Sequence, residues 1–276
     1  LNLLYSIVNR SGEYAAERCY APESDMENEL LKNNRYLCSL ETKKPLKDFD
    51  VLGFSIPYEL VLTNVVNVLK LGGVEIFAKE RKTTPIVIAG GPLTCNPEPF
   101  ADFFDAIVVG DGEEAILEIM RVAGKSRQEV LGELSKIRGV YVPSFYAPLY
   151  NGTEFTGLKK MLPEAPDIIE KRIYDINKRD PSIDSKPLVP NAESVQARLN
   201  VEIARGCPHE CKFCQARNYY WPYRLRPLAV VKKITQDGLV NTGYDEVSFV
   251  SLSSGDYPGV ERLLRDVKNE NWKYPV

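Results

Sequence analysis

The sequence predicts an α/β protein in two parts: a doubly wound parallel-sheet domain, then the opening of a second β/α unit. Three observations carry this. Between about residues 48 and 124, short and nearly continuous apolar runs alternate with stretches of helical period. Two of those runs end in glycines, as strands do where they turn into a helix. From residue 197 a second strand–loop–helix–strand–helix succession follows. At 276 residues, 44% hydrophobic and 26% charged, the chain is long enough for two domains with cores of their own.

Leu1, Leu4 and Val8 recur at helical spacing and predict a short amphipathic helix. "SDMENELLKNN" predicts another, opened by a capping box of Ser24 and Glu27. "FDVLGFSI" is a strand, "LVLTNVVNVLKLGG" a helix, and "TPIVIAGG" a second strand closing on two glycines. "PEPFADFFD" reads as a short helix, "AIVVGDG" as a third strand and "EEAILEIMRVAG" as a helix. Strands this uniformly apolar imply a parallel sheet covered on both faces. "GVYVPSFYAPLYNGTEF" predicts a strand and hairpin turning at Asn151-Gly152.

Residues 156–196 are polar, Pro-punctuated and without period, which reads as a linker. "RLNVEIARG" is then a strand, "LAVVKKITQDGLVNTG" a helix, "DEVSFVSLSSGD" a strand and "GVERLLRDVKNE" a helix. The expected division is a first domain over 1–145, hairpin and linker over 146–196, and a second domain over 197–276. The chain has no initiator Met and stops at "NENWKYPV", which resembles the start of a strand, so a truncated second domain is expected.

A net charge of −3 decides nothing about nucleic acid. No apolar stretch is long enough to span a bilayer, and the first residues lack the basic start and small-residue cleavage site of a signal peptide. The expected location is cytoplasmic, away from membranes. There, the six cysteines are expected as ligands or reduced thiols.

Three of them fall in "RGCPHECKFC": Cys207, Cys211 and Cys214, at intervals of four and three. Zinc wants four tetrahedral ligands. His209 would be the fourth, but it stands only two residues from each flanking cysteine. A disulfide leaves one thiol over. An iron–sulfur cluster is held by thiolates, and three of them leave one iron of a four-iron cube open to an exchangeable ligand.

C-x3-C-x2-C on the loop after a strand, with Phe213 just before the last cysteine, resembles the radical S-adenosylmethionine (SAM) superfamily. The resemblance implies a [4Fe-4S] cluster on Cys207, Cys211 and Cys214, with SAM chelating the open iron. Reductive cleavage of SAM then yields a 5′-deoxyadenosyl radical. By the same resemblance Phe213 lies near the adenine. Ser253, Ser254, Gly255 and Asp256 stand where the superfamily usually carries a Gly-Gly-Glu-like segment for the SAM amino group; the bland alternative is a polar strand-end turn. After the cysteines, "QARNYYWPYRLRP" has no acidic residue. Its Arg224 or Arg226 is a candidate grip on SAM or an anionic substrate, Arg226 being the preferred one.

"IAGGPLTCNPEPFADFFDAIVVGDGEE" resembles the cobalamin-binding-type domain that precedes many radical SAM modules, through Gly90-Gly91, Pro97-Glu98, Asp105 and the run from Gly110 to Glu114. Many such domains bind cobalt through a histidine in D-x-H-x-x-G. The only histidine here is His209, so cobalamin would bind without that ligand, or the fold serves as scaffold. Together the motifs resemble an uncharacterised radical SAM family joining these two modules. The expectation is a radical SAM enzyme, with methyl or methylthio transfer as the first reaction; "TGYDEVSFVSLSSGDY" is reminiscent of methylthiotransferases. The alternatives are a cobalamin-dependent methylase and a non-catalytic metal-binding scaffold. The substrate class stays open among RNA, protein and small molecule, and a flavodoxin or ferredoxin is the expected electron donor.

Overall fold

The chain opens with α1 (Asn2–Arg10), followed by α2 (Ser24–Lys32) and the strand β1 (Val51–Ser55). This is a computed structural model, and it describes residues 1–192, 195 and 197–269. The strand expected at the C-terminal end lies outside the described residues. Packing divides the chain into two compact units, Ser11–Arg172 and Leu1–Arg10 with Ile173–Val276. The divide falls at Arg172 rather than at the expected 145 and 196, and α1 groups with the later unit.

In Ser11–Arg172, β1 is followed by α3 (Leu62–Leu71), β2 (Ile86–Gly90), β3 (Ala106–Val108), α4 (Ala115–Val122), α5 (Arg127–Leu134) and β4 (Val140–Tyr141). The sheet order is β1-β2-β3-β4. The first three strands are parallel, while β4 runs antiparallel to β3. Residues two apart share a face, so one sheet buries two cores. Leu52, Val87, Ala89 and Ile107 meet α3 together with Phe100 and Phe104. Ile86, Ile88, Ala106 and Val108 meet Ala115, Ile119, Val130 and Leu134 of α4 and α5. Coverage on both faces is the reason these strands are apolar throughout.

The short helix expected at "PEPFADFFD" forms, as a 3-10 helix over Glu98–Phe103. Other local expectations are corrected. Ser24 is the first helical residue of α2, whose N-cap is Glu23; Glu27 accepts instead from Asn67 at 3.0 Å. A capping box does form at α5, between Ser126 and Glu129. The hairpin of β5 (Tyr146–Asn151) and β6 (Glu154–Lys160) turns through Gly152, φ +61°, one residue later than expected. Because β6 runs to Lys160, the stretch read as linker begins inside a strand.

In the other unit, α1 packs on α6 (Pro181–Asp184), and Arg10 donates to the Ser182 hydroxyl and carbonyl at 2.8 and 2.9 Å. Then come β7 (Leu199–Glu202), β8 (Ala204–Arg205), α7 (Ala216–Tyr220), β9 (Arg224–Leu225), α8 (Leu228–Thr242), β10 (Val247–Val250) and α9 (Val260–Asn269). β7 and β10 pair in parallel with α8 as the crossover, a βαβ unit. Val231, Ile234 and Leu239 of α8 pack on Leu199, Val201 and Val247. A Cβ on Gly238 would stand 2.6 Å from a Leu199 methyl, so the helix needs glycine to lie this close to β7. The expected second strand stops at Val250, where Ser251 and Ser254 bond each other and Ser254 donates back to the Phe249 carbonyl. Two parallel strands start a β/α layer, and no closed barrel is present among the described residues. No described helix is long and apolar enough to cross a membrane.

Candidate functional site: the cysteine loop

β7 runs through β8 into the cysteine loop, and β9 receives the chain on its return. β8 and β9 pair antiparallel, Ala204 with Leu225 and Arg205 with Arg224, so the loop is closed at its base by its own backbone. The two arms nearly touch there. Gly206 has φ +87°, and a Cβ on it would stand 2.8 Å from the carbonyl oxygens of both Tyr220 and Pro222. Glycine is the residue that tolerates both conditions. Arg224 fastens the returning arm through the carbonyls of Pro222 (3.0 Å), Tyr220 (3.2 Å) and Tyr174 (2.6 Å). Its guanidinium is thus engaged with backbone rather than presented to an anion.

Between these arms stand the three cysteines, Cys211 exposed, Cys207 and Cys214 half-buried. The Cys214 N–H donates to the Cys211 carbonyl at 3.0 Å, a tight turn from which α7 starts at Ala216. Cys19 and Cys38 donate their thiols to backbone carbonyls; no such bond engages the three loop thiols among the described residues. Among the described residues no three His, Cys, Asp or Glu side chains are gathered as a ready metal site. Thiols gain nothing by converging without a metal, since metal binding itself supplies the free energy that orders such ligands. The donor set fits a three-thiolate cluster: three unengaged sulfurs on one loop whose base is fixed.

The other expected residues divide. Phe213 is 91% exposed, which rules out a loop-packing role and leaves its ring open. Ser253, Ser254, Gly255 and Asp256 lie at the end of β10, the last three in a 3-10 turn. The Asp256 carboxylate accepts from the Ser253 hydroxyl and is bonded to His209 Nε2 at 2.6 Å. Ser253 first, then His209, hold its carboxyl below the usual range. His209, first considered as a fourth ligand, therefore ties the cysteine loop to the second strand. Tyr223 at the loop base adds a bond to the Asp256 carbonyl at 3.3 Å. Tyr257 is buried in the core and donates to the Arg226 carbonyl at 2.7 Å.

Arg226 corrects its expectation. Its side chain is 1% exposed, with Nη1 2.8 Å from Asp184 Oδ2 in an ion pair that lacks hydrogen-bond alignment. Burial first, and neighbouring Arg179 next, lower its pKa. A guanidinium enclosed in this way has no face to offer SAM. It belongs to a network beneath β7: Arg179 bonds Asp184 and Glu202 at 2.9 and 2.8 Å, and Arg205 holds Glu202 through Nε at 2.8 Å. Burial alone would push Glu202 up, but Arg205 and Arg179 bring its carboxyl down to about 2.

The cobalamin-type motif in Ser11–Arg172 is consumed by its own chain. Gly91, φ +112°, faces the Ile56 backbone, whose oxygen would lie 2.8 Å from a Cβ. Gly110, φ +107°, is bridged to Arg172, whose oxygen would lie 2.1 Å from a Cβ. Asp105 is buried between Arg81 and Arg127 and accepts from the Val87 N–H at 2.7 Å. Glu98 accepts from the Tyr141 hydroxyl, and Glu114 pairs with Arg172 at 3.1 Å. The unit holds no histidine. Gly91, Gly110, Asp105, Glu98 and Glu114 thus each have a partner within their own fold, while a Cβ on Gly90 would meet nothing within 4 Å.

A sheet unit covered on both faces, followed by a βαβ unit whose first strand feeds a three-cysteine loop, defines the architecture of a radical SAM protein. The chain belongs to the family described as radical SAM proteins, N-terminal, whose model matches residues 1–143, just over half its length. It is similar to the uncharacterized protein MJ0966 of Methanocaldococcus jannaschii, 28% identical over 229 residues, covering 81% of this chain and 43% of that protein. It is also similar to the hopanoid C-3 methylase of Methylococcus capsulatus, 24% identical over 230 residues, covering 80% and 38%. The match therefore spans less than half the length of these curated relatives. Its fold is similar to that of the radical SAM methyltransferase TsrM from Kitasatospora setae, solved with tryptophan and a SAM analogue. That likeness has a TM-score of 0.50 at 12% identity and covers 98% of this chain and 48% of that one.

Proposed function

We propose that this chain is the cluster- and SAM-binding part of a radical SAM enzyme that transfers a methyl or methylthio group. The observation that carries the reading is the loop itself: three cysteines with unengaged thiols, fixed at their base by Gly206 and Arg224 and tied to the end of β10. Cys207, Cys211 and Cys214 would hold a [4Fe-4S] cluster, and the vacant fourth coordination position would take SAM. When bound, the reduced cluster supplies the electron that cleaves the SAM sulfonium. This chain's own contribution is to orient: the exposed Phe213 ring would offer a face to the adenine, and the backbone at the β10 end would face the methionine part. Relationship to a protein named as a methylase supports methyl transfer. The corrin-dependent variant of that chemistry would have to proceed without a histidine ligand from the Ser11–Arg172 unit. The electron would come from a flavodoxin- or ferredoxin-type donor, and the methyl acceptor would be RNA, protein or a small molecule.

The test is anaerobic reconstitution with iron and sulfide, followed by reduction with SAM present. The expected result is a cluster absorbance that Cys211→Ala abolishes, and 5′-deoxyadenosine as product. Iron that never rises above background, or SAM left intact after reduction, overturns the proposal and favours a scaffold. Cluster absorbance retained in Cys211→Ala refutes the ligand set.

A further inference from the structure

The cysteine loop is held at two heights. At its base, β8 pairs with β9 and the Tyr223 hydroxyl reaches the Asp256 carbonyl. Towards its tip, His209, two residues after Cys207 and two before Cys211, meets the Asp256 carboxylate. Asp256 is itself an anchored residue. The Ser253 hydroxyl bonds the same carboxylate oxygen, Oδ2, that meets His209. The next residue, Tyr257, is sunk in the core with its hydroxyl on the carbonyl of Arg226, immediately beyond β9. Other residues near the tip are turned elsewhere: Glu210 pairs with Arg217, and Phe213 stands in solvent.

We propose that Asp256 is a positioning residue that acts through His209, holding the three-cysteine loop in register with the end of β10. This rests on the radical SAM reading of the same loop. A loop of this length must be ordered when cluster and SAM bind, and a tether already present in the free protein removes part of that conformational cost. The role differs from a direct grip of the Asp256 carboxylate on the SAM amino group, the part its position suggests by resemblance. In this structure the carboxylate oxygen facing the loop is already committed to His209 and Ser253.

A double-mutant cycle separates the two roles. The reconstituted chain, His209→Ala, Asp256→Ala and the double variant are titrated with SAM by calorimetry. The change in the electron paramagnetic resonance signal of the reduced cluster on adding SAM is followed in parallel. The His209 and Asp256 side chains are 54% and 37% exposed, so the apo variants should melt close to the parent. The expected result is a three- to tenfold weakening of SAM binding, roughly, in each single variant, with the double no worse than either. Asp256→Asn, which keeps an acceptor for His209, should restore most of the loss. Losses that multiply in the double variant, a loss in Asp256→Ala that Asn does not rescue, or no loss at all overturns the assignment. If the parent chain takes up no cluster, this inference falls with the proposed function. If the parent loads and cleaves SAM while the variant losses multiply, only the inference falls.

Discussion

Replacing Glu202 by Gln removes the carboxylate, at the end of β7, on which the guanidiniums of buried Arg179 and partly buried Arg205 converge. Arg205 approaches it at 2.8 and 3.1 Å and Arg179 at 2.8 Å, and the Arg179 side chain is only 2% exposed. These cations bring the carboxyl from 4.5 to about 2 against the opposing effect of burial, a differential interaction of roughly 3 kcal/mol. Removing one member of a buried ion set costs on that order, because the remaining charges stay buried without it. In Glu202→Gln, Arg179 would keep its ion pair with Asp184, as would Arg226, while both Arg179 and Arg205 would lose the Glu202 charge. The expected loss at pH 7 is about 3 kcal/mol in urea unfolding of the apo chain followed by circular dichroism. The sign with pH follows from the depressed carboxyl. Its contribution is complete above 4.5 and disappears as pH falls towards 2, so the gap between parent and variant should close over that interval. A gap below about 1 kcal/mol at pH 7, or one that stays constant on acidification, would refute the reasoning.

Gly110→Ala places a Cβ 2.1 Å from the Arg172 oxygen at φ +107° and should lower apo stability by more than about 2 kcal/mol, seen as an early melting transition. Asp105→Asn leaves Arg81 and Arg127 sharing an uncharged partner in a buried site and should cost about 3–5 kcal/mol in the same denaturation assay. Phe213→Ala should leave apo unfolding unchanged within about 0.5 kcal/mol, because the ring is 91% exposed, while weakening SAM binding by calorimetry. Titrating the parent chain with hydroxocobalamin should leave the corrin spectrum that of the free cofactor; a stoichiometric spectral shift would contradict the closure of Gly91 and Gly110.

Strands β1, β2 and β3 and the crossover α8 were legible because burial on both faces makes a strand uniformly apolar and an amphipathic helix periodic. The stretch after Lys160 misled for the opposite reason. Its buried residues include Arg172 and Arg179, held by carboxylates far off in sequence, and ion pairing leaves no apolar period to read. α5 was missed because its periodicity is weak and interrupted by Gly132, although the Ser126–Glu129 capping box marks its start. The antiparallel direction of β4 depends on where α5 delivers the chain, which no two-residue strand announces.

By itself the sequence determined the candidate donor set of the proposed cluster: three cysteines at intervals of four and three, placed after an apolar strand, because residue type and spacing are local properties. It also determined that glycine stands at positions 91, 110 and 206. What those glycines approach was decided by the tertiary structure. Gly206 admits the returning arm of the cysteine loop, whereas Gly91 and Gly110 admit the chain's own backbone. The same is true of charge. Arg226 looked available in the sequence and is enclosed beside Asp184, while His209, whose spacing argued against a ligand role, is bonded to Asp256. A side chain's chemistry is written in its residue type, but its partner is whatever the fold brings within three ångströms, and that depends on contacts distant in sequence.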